Sequence, residues 1–127
     1  SLELNCRLKE GHRHGRGWYE EQEKLEAWKA RLVQEFEFTE EEGADHVSRL
    51  VQMLQHMRNE AVILAYRLKT GKFTMVSATL MNYESWFKCP FIYTKLRNTI
   101  PFWNFEKKHW STFEMENFMD WKAEFTL

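Results

Sequence analysis

Residues 62–80 read VILAYRLKTGKFTMVSATL, and two different structures are written into them. Taken with the segment before it, Val47, Leu50, Leu54, Met57, Ala61, Leu64 and Leu68 recur at spacings of three and four, the seam of one long helix that stops at Thr70-Gly71. Taken alone, Val62, Leu64, Tyr66 and Leu68 alternate, Lys69-Thr70-Gly71-Lys72 supplies a glycine turn, and Thr74, Val76 and Thr79 are β-branched, which is the pattern of a hairpin. The longer regularity favours helix over 44–68. Over 73–87 the spacing of four between Met75, Thr79, Tyr83 and Phe87 sets helix against the β-branched content of a strand.

Upstream, Leu25, Trp28, Leu32 and Phe36 form one apolar stripe among charged neighbours and predict a helix over 18–37. Thr39 and Glu42 have capping-box spacing and predict the start of a second helix, with Asp45 as the later start if Gly43 delays it. Downstream, Pro90 and Pro101 push Cys89 and Ile100 toward extended backbone and bracket a short helix at 91–98. Ser111-Thr112-Phe113-Glu114 repeats the capping spacing, and Phe118, Trp121 and Phe125 then line a last helix to about 126. The expected fold is therefore mainly α, a single compact bundle of four or five helices over 18–127 behind a flexible basic arm at 1–17. The alternative is an α+β fold with a hairpin near 62–80.

The 127 residues include 43% hydrophobic and 16% aromatic side chains with five Gly and two Pro, enough to build a core. The longest apolar run, Ala61 to Ala65, is far short of a membrane span, and the first residues lack a basic-then-apolar signal pattern. Two cysteines, Cys6 and Cys89, are expected to stay reduced in an intracellular protein, nuclear or cytoplasmic. The net charge of −1 hides a division: residues 18–45 carry −7 and residues 46–110 carry +7. Such blocks either neutralise one another in the fold or attract different partners.

Chemistry-bearing motifs are sparse. His12, His14 and Cys6 do not complete a four-ligand zinc site, and the acids from Glu35 to Asp45 lack the order of a calcium loop and suit helix starts instead. Gly71-Lys72 lacks the rest of a phosphate loop, and Cys89 with His109 is the sole nucleophile and base that can be imagined. No cofactor, no metal and no catalytic activity are expected.

Residues 86–110, WFKCPFIYTKLRNTIPFWNFEKKHW, gather eight rings and five cations with one acid. Core packing accounts for many of these rings, but Ile100-Pro101-Phe102-Trp103-Asn104-Phe105 crowds more apolar surface than an irregular segment can hide. The expectation is a protein–protein interaction domain docking through Trp86, Phe102 and Trp103, with Arg97, Lys107 and Lys108 as a positive rim for a partner with an acidic or apolar segment. The alternative is single-stranded RNA or DNA stacked on the same rings. The heptad seam leaves self-association open.

The order Trp28, Arg31, Phe36, Arg49-Leu50, Asn59 and Tyr66 resembles the small helical domain that tethers regulatory proteins to a nuclear exoribonuclease. The likeness covers residues 28–66 alone, the Asn59-to-Tyr66 spacing differs from that family's, and no membership is read from it. It implies a binding module with Tyr66 as an exposed contact.

Overall fold

The computed structural model describes residues 17–124. The expected basic arm lies outside them except for Gly17, which opens the first helix. Helix α1 spans Gly17–Glu35 and buries Trp28 and Leu32, two members of the predicted stripe. Phe36 falls beyond the helix and is exposed, because Glu37 adopts a left-handed φ of 61° and the Phe38 N–H returns to the Leu32 carbonyl at 3.2 Å. Helix α2 spans Glu40–Met57 and starts at the predicted capping box: the Glu42 N–H donates to Thr39 Oγ1 at 3.0 Å and the Thr39 N–H donates to Glu42 Oε1 at 2.8 Å. Gly43 does not delay this start. It lets the two helices approach closely, since a Cβ there would meet Lys29 Cγ at 3.1 Å.

The seam of α2 is buried through Val47, Leu50, Leu54 and Met57 and then stops. The remainder of the chain is not a helical bundle. Strands β1 (Val62–Arg67), β2 (Phe73–Thr79), β3 (Thr99–Asn104), β4 (His109–Glu114) and β5 (Phe118–Ala123) form one antiparallel sheet in the order β4-β3-β2-β1-β5. With three α-helices among the described residues, this overturns the expected bundle and agrees with the hairpin near 62–80. Leu64 is what made both readings fit. It belongs to the three-and-four seam and to the Val62, Leu64, Tyr66 alternation, and only the second is used.

Helix α2 ends where the sheet takes the carbonyl of its last residue, Met57, and that of Glu60 in the turn that follows. The Leu80 N–H donates to the Met57 carbonyl at 2.9 Å, and the buried Thr79 hydroxyl lies 3.1 Å from the same carbonyl and 2.9 Å from that of Glu60. These groups would otherwise be orphaned at the helix end. The chain then turns into β1, whose turn to β2 closes through Leu68 N–H to Lys72 O at 2.8 Å and needs Gly71 at φ 91°.

The last predicted helix is also a strand, and its spacing has a specific cause. Phe118 pairs with Tyr66, Asp120 with Ala65 and Trp121 with Leu64, so one extra residue, Met119, bulges out of β5. The bulge brings Phe118 and Trp121, three apart, to the same face, where the Trp121 ring lies 5.3 Å from His56 of α2. A spacing of three that reads as helical is thus a bulged strand. Ser111, the expected cap, sits within β4, and the expected 91–98 helix shrinks to a 3-10 turn at Tyr93–Lys95.

The inner sheet face carries Val62, Leu64, Tyr66, Val76, Ala78, Ile100, Phe102, Phe113 and Phe118 into one core with α2. Four rings form its centre: Tyr66 lies 5.8 Å from Phe102 and 5.3 Å from Phe113, which lies 6.4 Å from Phe118. Tyr66 is therefore buried in a strand, which removes the exposed tyrosine and the helical context of the exoribonuclease-tethering likeness. Helix α1 is tied to the segment before β3 by the Trp28 indole N–H, which donates to the Arg97 carbonyl at 2.7 Å, and by Lys24 Nζ, which donates to the Leu96 carbonyl.

Two outcomes follow from this packing. Thr79→Val keeps the shape but removes the one hydroxyl proton that the Met57 and Glu60 carbonyls share, leaving Met57 with the Leu80 N–H alone, and urea unfolding is expected to show a loss of about 1–2 kcal/mol, with Thr79→Ser losing less; equal stability of the valine variant contradicts the assigned cap. His46 is buried with Nε2 2.8 Å from the Met115 carbonyl and its ring edge-on to Phe38 and Phe118. Burial, reinforced by Arg49 and opposed by the Met115 bond, Asp45 and Glu116, holds its pKa below the ordinary 6.5. The folded state thus prefers the neutral ring, so its contribution is full above 6.5 and is lost as pH falls below that value. The thermal midpoint is expected to fall between pH 7.5 and 5.5 more steeply in the parent than in His46→Gln, and equal slopes contradict it.

Candidate functional site

Within 86–110, Tyr93 packs toward Trp28 of α1 and Phe91 against Tyr83, while Phe102, Trp103 and Trp110 divide between two faces of the β3–β4 hairpin. Strand alternation turns Ile100, Phe102 and Asn104 inward and Trp103 outward. Phe102 has 0% exposure and belongs to the four-ring core, so it is not a docking anchor. On the opposite face the register pairs Trp103 with Trp110, their rings 5.7 Å apart.

A short helix, α3 (Tyr83–Phe87), caps that outer face. It is bracketed by two left-handed residues, Asn82 at φ 69° and Lys88 at φ 59°. Tyr83 and Phe87 approach Trp110 edge-on, at 5.7 and 5.1 Å, and Trp110's buried indole N–H finds no acceptor among the described residues. Trp86 lies over Trp103 at 5.6 Å with ring planes 32° apart and remains 58% exposed. Trp86 and Trp103 are the predicted anchors that the fold does bring together at a surface.

The sheet register extends this surface to residues the sequence reading did not single out. Thr79 pairs with Trp103, and the Phe105 N–H donates to the Ser77 carbonyl at 3.1 Å, so Trp103, Phe105, Ser77, Met75 and Phe73 share one face. Phe105, Met75 and Phe73 are 40%, 54% and 48% exposed. With Trp86 they make four of the seven exposed large hydrophobic side chains among the described residues. The signal was present in β2: once the hairpin is chosen, Val76 and Ala78 point in, and Phe73 and Met75 must point out.

Lys107 and Lys108 stand in the turn at the end of this stripe. The buried Asn104 builds the turn, its side-chain oxygen accepting from the Lys107 N–H at 3.0 Å and its carbonyl from the Lys108 N–H at 2.7 Å, with Lys108 at φ 57°. Both side chains are exposed, and neither joins an ion pair among the described residues. Arg97 does not belong with them. It precedes β3, at the opposite end of the hairpin by about 17 Å of strand, and is exposed beside α1, where its carbonyl holds Trp28.

The imagined nucleophile and base do not form a reactive pair. Cys89 is buried and disulfide-bonded, which corrects the expectation of a reduced thiol there, and Nδ1 of His109 lies 3.2 Å from the Ser111 hydroxyl. Cys6, His12 and His14 lie outside the described residues. No helix among the described residues is long and apolar enough to cross a membrane.

No curated protein and no solved structure matches the chain. A family model does, over residues 50–119, which run from the second half of α2 through β4, the turn after it and the first two residues of β5; α1 and the rest of β5 lie outside the match. The model is described as WYL_2, Sm-like SH3 beta-barrel fold, in keeping with a five-stranded antiparallel sheet packed against a helix. The chain belongs to the WYL_2 family.

Proposed function

We propose that this chain is a non-catalytic protein-interaction domain whose docking face is the stripe Trp86, Trp103, Phe105, Met75 and Phe73, with Lys107 and Lys108 at its end. The observation that carries the reading is the clustering of exposed apolar side chains on one sheet face, while equally large rings of the same segment are packed into the core. Scattered exposed hydrophobics are ordinary on any protein; a contiguous row of them bounded by cations is what a partner-binding surface offers. Lys107 and Lys108, which join no ion pair among the described residues, favour an acidic partner, chiefly by speeding encounter.

A second reading, single-stranded nucleic acid, is favoured by one feature: Trp86 presents an exposed indole over a tilted Trp103, and Lys107 and Lys108, in no ion pair among the described residues, stand in the turn that ends the Trp103 strand. Stacking of a base on Trp86 and phosphate contact with Lys107 and Lys108 would then supply the affinity. Two lysines release few counterions, so this reading ranks below the first.

Recovery of partners from cell extract, with and without nuclease, separates the two. The domain is expected to retain a protein partner after nuclease and to lose it in Trp86→Ala, by about thirtyfold in affinity for an anchor of this size, with an unchanged circular-dichroism spectrum. Phe36→Ala, at an exposed ring outside the stripe, is the control and is expected to bind normally. Partners that vanish on nuclease treatment, with binding that weakens steeply between low and physiological salt, favour the nucleic-acid reading instead.

A further inference from the structure

The β2 strand is only half covered on the side of β3. Its pairs with β3 are Ala78 with Asn104 and Thr79 with Trp103, and the Phe105 N–H extends them by one bond to Ser77. The chain then leaves in the turn 105–108, and Phe73–Val76 has no neighbouring strand on that side among the described residues. On the other side β2 is paired with β1 from Phe73 to Ala78.

The hydrogen-bond phase says which main-chain groups are left open. In a strand the N–H and C=O of one residue point to the same side, and the side alternates along the chain. The Ser77 carbonyl accepts from Phe105 and so points toward β3, which sends the N–H and C=O groups of Met75 and Phe73 the same way. The turn agrees: Leu68 donates to Lys72 across the hairpin, and the same phase gives Thr74 and Val76 to β1, opposite Tyr66 and Leu64. The two residues with outward main-chain groups, Phe73 and Met75, are also the two with exposed apolar side chains on β2.

Sheet edges in soluble proteins are ordinarily blunted by Lys, Pro, a bulge or a covering element. This one carries Phe and Met. The blunting devices lie elsewhere in the sheet, in the bulge of β5 and in Pro101 within β3.

We propose that the open edge of Phe73–Val76 is a strand-addition site for an extended segment of a partner protein, about four or five residues long, which lies where β3 would continue past Phe105. Main-chain bonds to Phe73 and Met75 supply the register, and every second side chain of the incoming segment rests on the Met75 and Phe105 face. Lys72 precedes this edge and Lys107 and Lys108 stand with Glu106 in the turn beyond Phe105; the three lysines are exposed and join no ion pair among the described residues, while the Glu124 carboxylate on the same face accepts from the Ser77 hydroxyl at 2.8 Å, so the cations outnumber the acids and the segment alternates apolar with acidic residues. The same three cations, doubled and opposed, disfavour a second copy of this chain pairing edge to edge. The inference rests on the docking reading above and names the partner's chemical class.

Met75→Pro tests it cleanly, because the Met75 N–H points out of the hairpin and its loss breaks no bond to β1. The probe is a synthetic peptide of about eight residues alternating isoleucine with glutamate, compared with the same peptide bearing lysine for glutamate and with peptides N-methylated along one edge or the other. The acidic peptide is expected to bind the parent, the lysine peptide at least about tenfold more weakly, and Met75→Pro to bind the acidic peptide at least about tenfold more weakly at an unchanged melting temperature. Methylation of one peptide edge is expected to abolish binding and of the other to leave it intact, which reads strand pairing without altering the protein. Equal binding by Met75→Pro, equal effects of methylation on the two edges, or no binding by the acidic peptide overturns the proposal. Loss of binding in Trp86→Ala with none in Met75→Pro keeps the docking face and removes the strand. A concentration-dependent dimer of the parent that Met75→Pro dissociates assigns the edge to a second copy and overturns a partner segment.

Discussion

The carbonyl of the last α2 residue, Met57, and that of Glu60 in the turn after it have to be satisfied somewhere, and the end of β2 does it. The Thr79 hydroxyl and the Leu80 N–H close on Met57 and Glu60, so the helix cannot run on into Val62, and the released segment becomes a strand paired on both sides. From that junction the rest is constrained. The β1–β2 hairpin must lie across α2 with Val62, Leu64, Tyr66, Val76 and Ala78 turned inward, and the alternation of the strands then assigns every outward side chain, including Phe73 and Met75.

The aromatic wealth of residues 86–110 is spent in two ways. Phe102 joins Tyr66, Phe113 and Phe118 in the core, and Tyr83, Phe87 and Trp110 pack between α3 and the outer face of the β3–β4 hairpin. What remains at the surface is Trp86, partly Trp103, and the row continued by Phe105 and β2. The short β2–β3 ladder leaves an apolar face and an open main-chain edge at the same two residues. In the proposed strand addition, main-chain pairing would supply affinity and the alternate side chains on the apolar face would supply specificity.

The two helices were legible because their signals are local: Trp28 and Leu32 on one stripe, Thr39 with Glu42 at the cap, and Val47 to Met57 along the seam. Of the sheet only the β1–β2 hairpin was legible, as the alternative reading of 62–80, and the rest was not, for reasons that lie in long-range pairing. The stop of α2 depends on a hydroxyl that is 22 residues away. The bulge in β5 places Phe118 and Trp121 at a helical interval, and Leu64 serves two periodicities at once. At the site, Trp86 and Trp103 could be picked from composition, whereas the burial of Phe102 and the separation of Arg97 from Lys107 and Lys108 follow only from the register of β3 with its neighbours.

Residue-resolved amide hydrogen exchange on the free protein, read along β2, examines the hairpin phase and the open edge at once. The account predicts slow exchange at Thr74, Val76 and Ala78, whose N–H groups face β1, and fast exchange at Met75 between them. Uniform protection from Thr74 to Ala78 contradicts it, because the edge is then covered, and uniform fast exchange contradicts the hairpin itself.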